Sequence, residues 1–538
     1  MIPLHVLSNY SLLRGTSPIE NLVNRAAEFG LPALALTDFN NMYGHISFYK
    51  HTTTKGVKPI FGVKISLGEN ETDYILILAK NNPGYGKVCK FITRKKLAGF
   101  SLDVILSEPH LNDLFLITPD RNTYNVLSGK FRESVYLEYV LKPQDKKLTV
   151  SNLLTLQEEK VKTVITAPVY FLDKNDYLLH KTVSAIREKT TLTNVQKSSL
   201  SSETSYFVDP GKIRKKYNEF SKYFDNTEYI ASNCNVNLEI GKLKFPHFSQ
   251  QQFPDNFAYL HQLCFSGLEK RYPKVSKKHI DRLNYELDVI FELQFTDYFL
   301  VVWDIVREAK QRGMLIVGRG SAANSLVSHV LGFTDVDPIK YDLYFERFLN
   351  RGRLSPPDID IDFSWRERDA IIKYVYDKYG YDHVAMISTT ITFRARSAFR
   401  EVAKVFGFSN EQITPFAKSI PWTSARNLEN LPELFPETKN LPFHEEPWLS
   451  IVRIASRLAG FPRHISIHPS GLVISPIPIT DYVALEFAKN KGLGIVITQP
   501  DMYAIEELGL VKIDLLSQRS LGVLRDTILE LEKISETQ

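Results

Sequence analysis

Residues 355–363 read SPPDIDIDF: three aspartates, each alternating with an apolar side chain, stand directly behind two prolines. In a β-strand successive side chains point to opposite faces. Asp358, Asp360 and Asp362 therefore share one face, and Ile359, Ile361 and Phe363 share the other. The apolar face has to cover a core. On the acidic face, residues two apart sit at roughly 6.5–7 Å between Cα atoms, near enough for their carboxylates to grip a common cation or adjacent ones. Without a cation, like charges that close repel. Taken alone, the stretch fits a solvated acidic edge strand as well as a metal-holding one.

A chain of 538 residues is too long for one core and predicts three or four domains or subdomains at about 150 residues each. Its 43% hydrophobic and 24% charged residues are ordinary for a globular protein, and a net charge of +5 permits a polyanionic partner without requiring one. Cys89, Cys234 and Cys264 are far apart and form no metal-type spacing, which points to a reducing compartment. The opening MIPLHVLSNYSLL has no basic segment leading into a long apolar run, and nowhere do about eighteen apolar residues follow one another. The expected location is the cytoplasm, with no membrane partner.

From Met1 to about Ile240 short apolar strands such as PALALTD and KTVITAPVYFL alternate with amphipathic helices such as PIENLVNRAAEFG, predicting an α/β domain. The polar, Ser/Thr-rich REKTTLTNVQKSSLSSETS reads as an exposed loop near its end. Residues 256–331 are expected to be helical with one strand, GMLIVG. The acidic strand, the helix RERDAIIKYVYDKYG, a helical stretch over residues 393–461 and a β-rich segment from SGLVISP to GLVKIDLL follow.

Two further motifs carry chemistry. In LIVGRGSAANSLV an apolar strand runs into Gly318-Arg319-Gly320-Ser321, with a helix predicted from Ala322 and Ser321 as its cap. Such a turn can face backbone N–H groups toward an anion, and Arg319 adds a full charge; the same joint also occurs for packing reasons. In LGLVKIDLLSQRS, Lys512 and Asp514 share one strand face. Paired beside the acidic strand, Asp514 would join the carboxylate row and Lys512 would face an anion held there; otherwise the two make a surface pair.

VGRGSAANSLVSHVLGFTDVDPIKYDLYFERFLN, PPDIDIDF and GLVKIDLL, in that order, resemble the palm of bacterial C-family polymerases, the DNA polymerase III alpha subunits. PPDIDIDFSWRERDAIIKYVYDKYG and ITFRARSAFREVAKVFG look most like the shorter, error-prone branch. The resemblance implies an α/β multidomain chain: a PHP-like (polymerase-and-histidinol-phosphatase) α/β barrel over 1–240, then a polymerase-beta-like nucleotidyltransferase palm over 241–389. A helical thumb over 390–469 is inserted before a second palm part over 470–538. It implies that Asp358, Asp360 and Asp514 hold two Mg²⁺ ions, with Asp362 structural. It also implies that Gly320, Ser321, Arg347 and Lys512 contact the triphosphate of an incoming dNTP. Arg394, Arg396, Arg463 and His468, with Arg400, Arg453, Arg457 and His464 around them, are candidate contacts to primed DNA or else solvated charges.

The first domain departs from the family. His5 and Asp38 of the expected metal cluster are present, but Leu7, Phe39, Lys64 and Tyr170 stand where ligands are usual. Leucine, phenylalanine and a lysine cannot coordinate such a cluster, so the domain is expected to be structural. Family members also continue for several hundred residues beyond the third aspartate, into fingers and clamp-binding modules. Three readings follow. The first is a templated DNA polymerase that works with a C-terminal polymerase portion, a sliding clamp or other replication and repair subunits. The second is a non-catalytic remnant that binds DNA or polymerase partners. The third, a phosphoesterase in the first domain, is disfavoured by the missing ligands, while Asp358, Asp360, Asp514 and Lys512 favour the first over the second.

Overall fold

The computed structural model describes residues 1–68, 71–141, 161–250, 253–352, 356–488 and 494–536. Two β-sheets organise them. The first has six strands in sequential order: β1 (Ala33–Phe39), β2 (Lys58–Ser66), β3 (Tyr74–Ala79), β4 (Leu114–Thr118), β5 (Val135–Val140) and β6 (Thr163–Thr166). β1 and β2 run parallel, β3 is antiparallel to both its neighbours, and β4, β5 and β6 run parallel. Residues 3–7 bridge the two edges: Thr37 of β1 donates its N–H to Val6 O, and Leu7 donates to Val169 O beyond β6. Every residue of β1 and of β3 is buried, the continuous apolar signature of strands covered on both faces. The strand expected from KTVITAPVYFL stops at Thr166, because Pro168 has no N–H to extend the ladder. The Ser/Thr-rich stretch is irregular as expected, apart from Arg187 and Glu188, which end the helix Tyr177–Glu188, and one short turn of 3₁₀ helix.

The second sheet is built from distant segments: β7 (Ile316–Arg319), β8 (Asp360–Ser364), β9 (Val384–Thr392), β10 (Pro462–Ile474), β11 (Leu485–Phe487), β12 (Val496–Asp501) and β13 (Lys512–Gln518). Their order is β11-β12-β9-β10-β13-β8-β7. The last strand in the chain is thus inserted in the middle, parallel to β8 and antiparallel to β10. One hydrophobic core runs between the two sheets: Val88 and Ile92 of the helix Asn82–Leu97 share it with Ala385, Val473 and Leu485. Polar ties cross the same seam, with Tyr43 donating to Glu486 Oε2 at 2.7 Å and Leu485 N donating to Thr93 Oγ1 at 2.9 Å. The helical residues 393–461 have a separate core in which Trp448 packs against Phe399, Phe408 and Phe416.

The turn after β7 is held by packing and by a buried charge. A Cβ on Gly318 would lie 1.9 Å from Phe333 O, so only glycine lets this strand approach that backbone. Gly320 has φ +74°, the left-handed region that favours glycine. Ser321 does not cap the following helix. A 3₁₀ turn spans Gly320–Asn324, and the helix Leu326–Val330 is capped by Ser325, whose side chain accepts from Ser328 N. The helix start needs further acceptors, and Glu286, fully buried on the helix Lys277–Glu292, supplies them. It accepts N–H bonds from Leu326 and Val327 at 3.0 Å each and the Ser325 hydroxyl at 2.7 Å. Arg282 pairs with Glu286 at 2.6 Å and donates on to Asn324 O and Leu343 O. Replacing Glu286 by Ala leaves these donors unpaired, and we expect a loss of about 3–5 kcal/mol, read as a lower midpoint in chemical denaturation.

Candidate active site

β8 carries Asp360 and Asp362, with Asp358 two residues ahead of its start, and β13 lies beside it in parallel register with Asp514 opposite Asp360. On the other side β7 places Arg319 opposite Asp360. Carboxylate oxygens of Asp358, Asp360 and Asp514 all lie within 4.8 Å of one another, the one such group of three metal-type ligands among the described residues. Asp358 is exposed, Asp360 half-buried and Asp514 buried, and Asp358 and Lys512 line a cleft of about 620 Å³. The apolar partners predicted from the alternation, Ile359, Ile361 and Phe363, are fully buried in the core beneath.

Asp514 is tightly held. Lys512 Nζ donates to its Oδ2 at 2.8 Å and Ser470 Oγ donates to its Oδ1 at 2.7 Å. Ser470 reaches it because β10 bulges: Ile467 pairs with Ser388 and Leu472 with Met386, so four residues of β10 are spanned by one of β9. His468 braces that bulge, its Nδ1 accepting from Gly471 N at 2.8 Å. Arg368 donates to Leu515 O at 2.6 Å and pins β13 from behind, while Tyr298 donates to Pro357 O at 3.1 Å just before Asp358.

The electrostatics follow from crowding. Burial, then the charges of Asp358 and Asp514, push the Asp360 carboxyl above its ordinary value, against the opposing pull of Arg319 and Lys512. Burial works against the Lys512 ammonium, yet its bond to Asp514 and the nearby charges of Asp514, Asp358 and Glu506 hold it above the usual lysine value. Burial pushes the His468 imidazole down, with Lys512 and Arg368 adding to the effect and Asp514 opposing it.

The other residues singled out from sequence are distributed unevenly. Gly320 borders the carboxylates, its absent Cβ position being 3.7 Å from Asp360 Oδ2, and Ser321 follows in the same turn. Arg347 lies exposed on a 3₁₀ turn, Phe345–Arg347, that packs against Gly320–Asn324. Asp362 is outside the group of three; it is buried and faces Arg319 Nε at 3.4 Å. Arg396 donates to Ile420 O at 2.6 Å, and Arg463 pairs with Glu401 at 3.3 Å. Arg394 is exposed and lies 5.0 Å from the ring centroid of exposed Trp422. In the first sheet His5 and Asp38 are buried apart from any three-ligand group: His5 meets Glu138, and Asp38 accepts from Ser8 and Ser11. Burial raises the Asp38 carboxyl to about 6, opposed by those serines. Ser470, Glu286, Arg368 and Tyr298 were not identified from sequence. Only Ser470, beside Gly471 in HPSG, carried even a turn signal.

Residues 258–517 match the family model described as the bacterial DNA polymerase III alpha NTPase domain, and residues 3–130 match the PHP domain. The DNA polymerase III subunit alpha of Bacillus subtilis is 34% identical over 99% of this chain and 49% of the relative. The error-prone DNA polymerase of Symbiobacterium thermophilum is 33% identical over 100% of this chain and 53% of the relative. The DNA polymerase III subunit alpha of Pseudomonas aeruginosa is 31% identical, covering 97% and 48%. The chain thus spans about half the length of the curated relatives it matches. It is a mixed α/β, multidomain chain with a PHP domain, and no helix among the described residues is long and apolar enough to cross a membrane. With both models in sequence order and relatives aligned along nearly all of its residues, the chain is similar from end to end to bacterial DNA polymerase III alpha subunits.

Proposed function

We propose that the cleft performs templated nucleotidyl transfer from dNTPs to a primer 3′-hydroxyl, as part of a C-family DNA polymerase. The observation that carries this reading is the convergence of Asp358, Asp360 and Asp514 oxygens within 4.8 Å, with Lys512 beside them. The donor set fits Mg²⁺: all are hard carboxylate oxygens, one is open to solvent, and their mutual repulsion is relieved by a cation. Two Mg²⁺ ions held there would acidify the primer hydroxyl and neutralise charge on the leaving pyrophosphate. In this reading residues 241–389 and 470–538 are the palm, 390–469 the thumb and 1–240 the PHP-like domain.

The chain's own residues would do the positioning. The turn bearing Gly320 and Ser321, fixed from behind by Glu286, holds the triphosphate against Asp360. Lys512, kept protonated by its carboxylate neighbours, neutralises phosphate charge, and Arg347 closes the turn from the exposed side. Ser470 and Lys512 orient Asp514, each holding one of its two oxygens. Arg394 with Trp422 offers an exposed cation and ring to DNA, whereas Arg396 and Arg463 would have to leave internal partners to do the same. His468 would reach DNA through the ring edge not used in the bulge.

The raised Asp360 carboxyl has a cost in stability that is absent below the ordinary aspartate pKa, grows as pH rises from there to the raised value and is fully present above it. Asp360→Asn should therefore raise the melting temperature of the metal-free protein at pH 7, with the gain fading toward pH 4. The same variant should lose the stabilisation that Mg²⁺ gives the wild type; an equal Mg²⁺ response in both would remove Asp360 from the site. The function itself is tested by Mg²⁺-dependent binding of a fluorescent dNTP together with primer extension on a primed template. We expect Mg²⁺-dependent binding by the wild type, its loss in Asp360→Ala, and a fall of about 10²–10³ in templated incorporation for Lys512→Ala. Undiminished dNTP binding in Asp360→Ala overturns the reading.

A further inference from the structure

The first domain has a cavity of about 230 Å³ lined in part by Lys64 and Tyr170, positions where the family resemblance implies metal ligands. Its floor is built from His5, Lys64, Tyr74 and Tyr170. Lys64 is 6% exposed, and among the described residues its ammonium has no carboxylate within ion-pair distance. It donates to Tyr170 Oη at 2.9 Å and lies 3.9 Å from the Tyr74 ring centroid, which leaves N–H donors unassigned. His5 is 2% exposed. Its Nδ1 lies 2.9 Å from Glu138 Oε1, while its Nε2 is buried with no partner. Because the Glu138 carboxylate accepts, Nδ1 is the donor and Nε2 presents a lone pair.

The mouth is lined by hydroxyl groups. Ser201, Ser202, Thr204 and Ser205, from the Ser/Thr-rich stretch, lie over the opening, with Ser202 and Thr204 hydroxyls 2.7 Å apart. Arg187 stands nearby, half-buried, 4.0 Å from Glu71, which is also paired with Arg14. Arg187 also faces Glu188 at 3.9 Å, so the arginines here are balanced by carboxylates, and Lys64 is the cation left without an ion-pair partner among the described residues.

We infer that this cavity is a metal-independent binding site for a hydrogen phosphate group. Such a group matches each orphaned atom: its P–OH donates to His5 Nε2, and its anionic oxygens accept from Lys64 and from the hydroxyls at the mouth. A carboxylate or sulfate at neutral pH has no proton to give His5. Lys64 therefore supplies from within the chain the positive charge that a metal cluster supplies elsewhere, and the result is binding without hydrolysis. The inference is independent of the polymerase site, which lies on the other sheet.

The test is calorimetric titration of the full chain in EDTA with inorganic phosphate, with sulfate at matched ionic strength, and with deoxyadenosine 5′-monophosphate. We expect phosphate to bind at least about tenfold more tightly than sulfate, Lys64→Met to weaken phosphate at least about tenfold, and Lys512→Ala to leave it unchanged. Preference for inorganic phosphate assigns the free ion, and preference for the monophosphate assigns the phosphate end of a nucleotide. Should Lys64→Met fail to fold, Ala167→Leu at the cavity lip is expected to block phosphate in its place. Absence of phosphate binding, equal binding of sulfate, or full affinity in both Lys64→Met and Ala167→Leu overturns the inference; loss in Lys512→Ala alone returns the phosphate to the polymerase cleft.

Discussion

The pairing of β13 with β8 is the interaction on which the rest of the molecule depends. It sets two aspartates from segments more than a hundred residues apart directly opposite each other, with a third just before them. Placing three carboxylates within one cation's reach is unfavourable in itself, as the raised Asp360 carboxyl records. The fold meets that cost with apolar burial on the opposite face, where Ile359, Ile361, Phe363, Ile513 and Leu515 fill one core. Register is therefore set by grease, and the charges follow, because a one-residue slip would turn every carboxylate inward.

Around that pair, each neighbouring element contributes one restraint. β10 bulges so that Ser470 meets Asp514, and β7 brings Arg319 and the glycine turn against Asp360. Glu286 stiffens the turn from behind through three hydrogen bonds, accepted from the Ser325 hydroxyl and from the N–H groups of Leu326 and Val327. The first sheet braces the same structure through the shared core and the Tyr43–Glu486 contact. In the first domain a buried ammonium and an unpartnered imidazole nitrogen stand beside a cavity.

Much of this was legible along the chain because period-two patterning needs no tertiary information. Alternation in PPDIDIDF and GLVKIDLL showed which side chains share a face, and both strands form with that polarity. The glycine turn was legible too, yet its helix start was misread by four residues: Ser325, not Ser321, is the cap, because Glu286 from another helix stabilises the later start. The arginines on residues 393–463 were legible as charges but not as contacts. Arg396 and Arg463 are engaged internally, and only the three-dimensional neighbours Ile420 and Glu401 reveal it.

By itself, the sequence determined the chemistry available: three aspartates in two alternating stretches and a lysine two residues from the third. Those are properties of residue identity and local periodicity. The tertiary structure alone decided that Asp514 lies opposite Asp360, that Asp362 turns to Arg319, that Ser470 serves Asp514, and that Lys64 and His5 share a cavity. Such pairings join residues far apart in the chain, and their distances depend on strand order, a bulge and core packing, which no local pattern encodes.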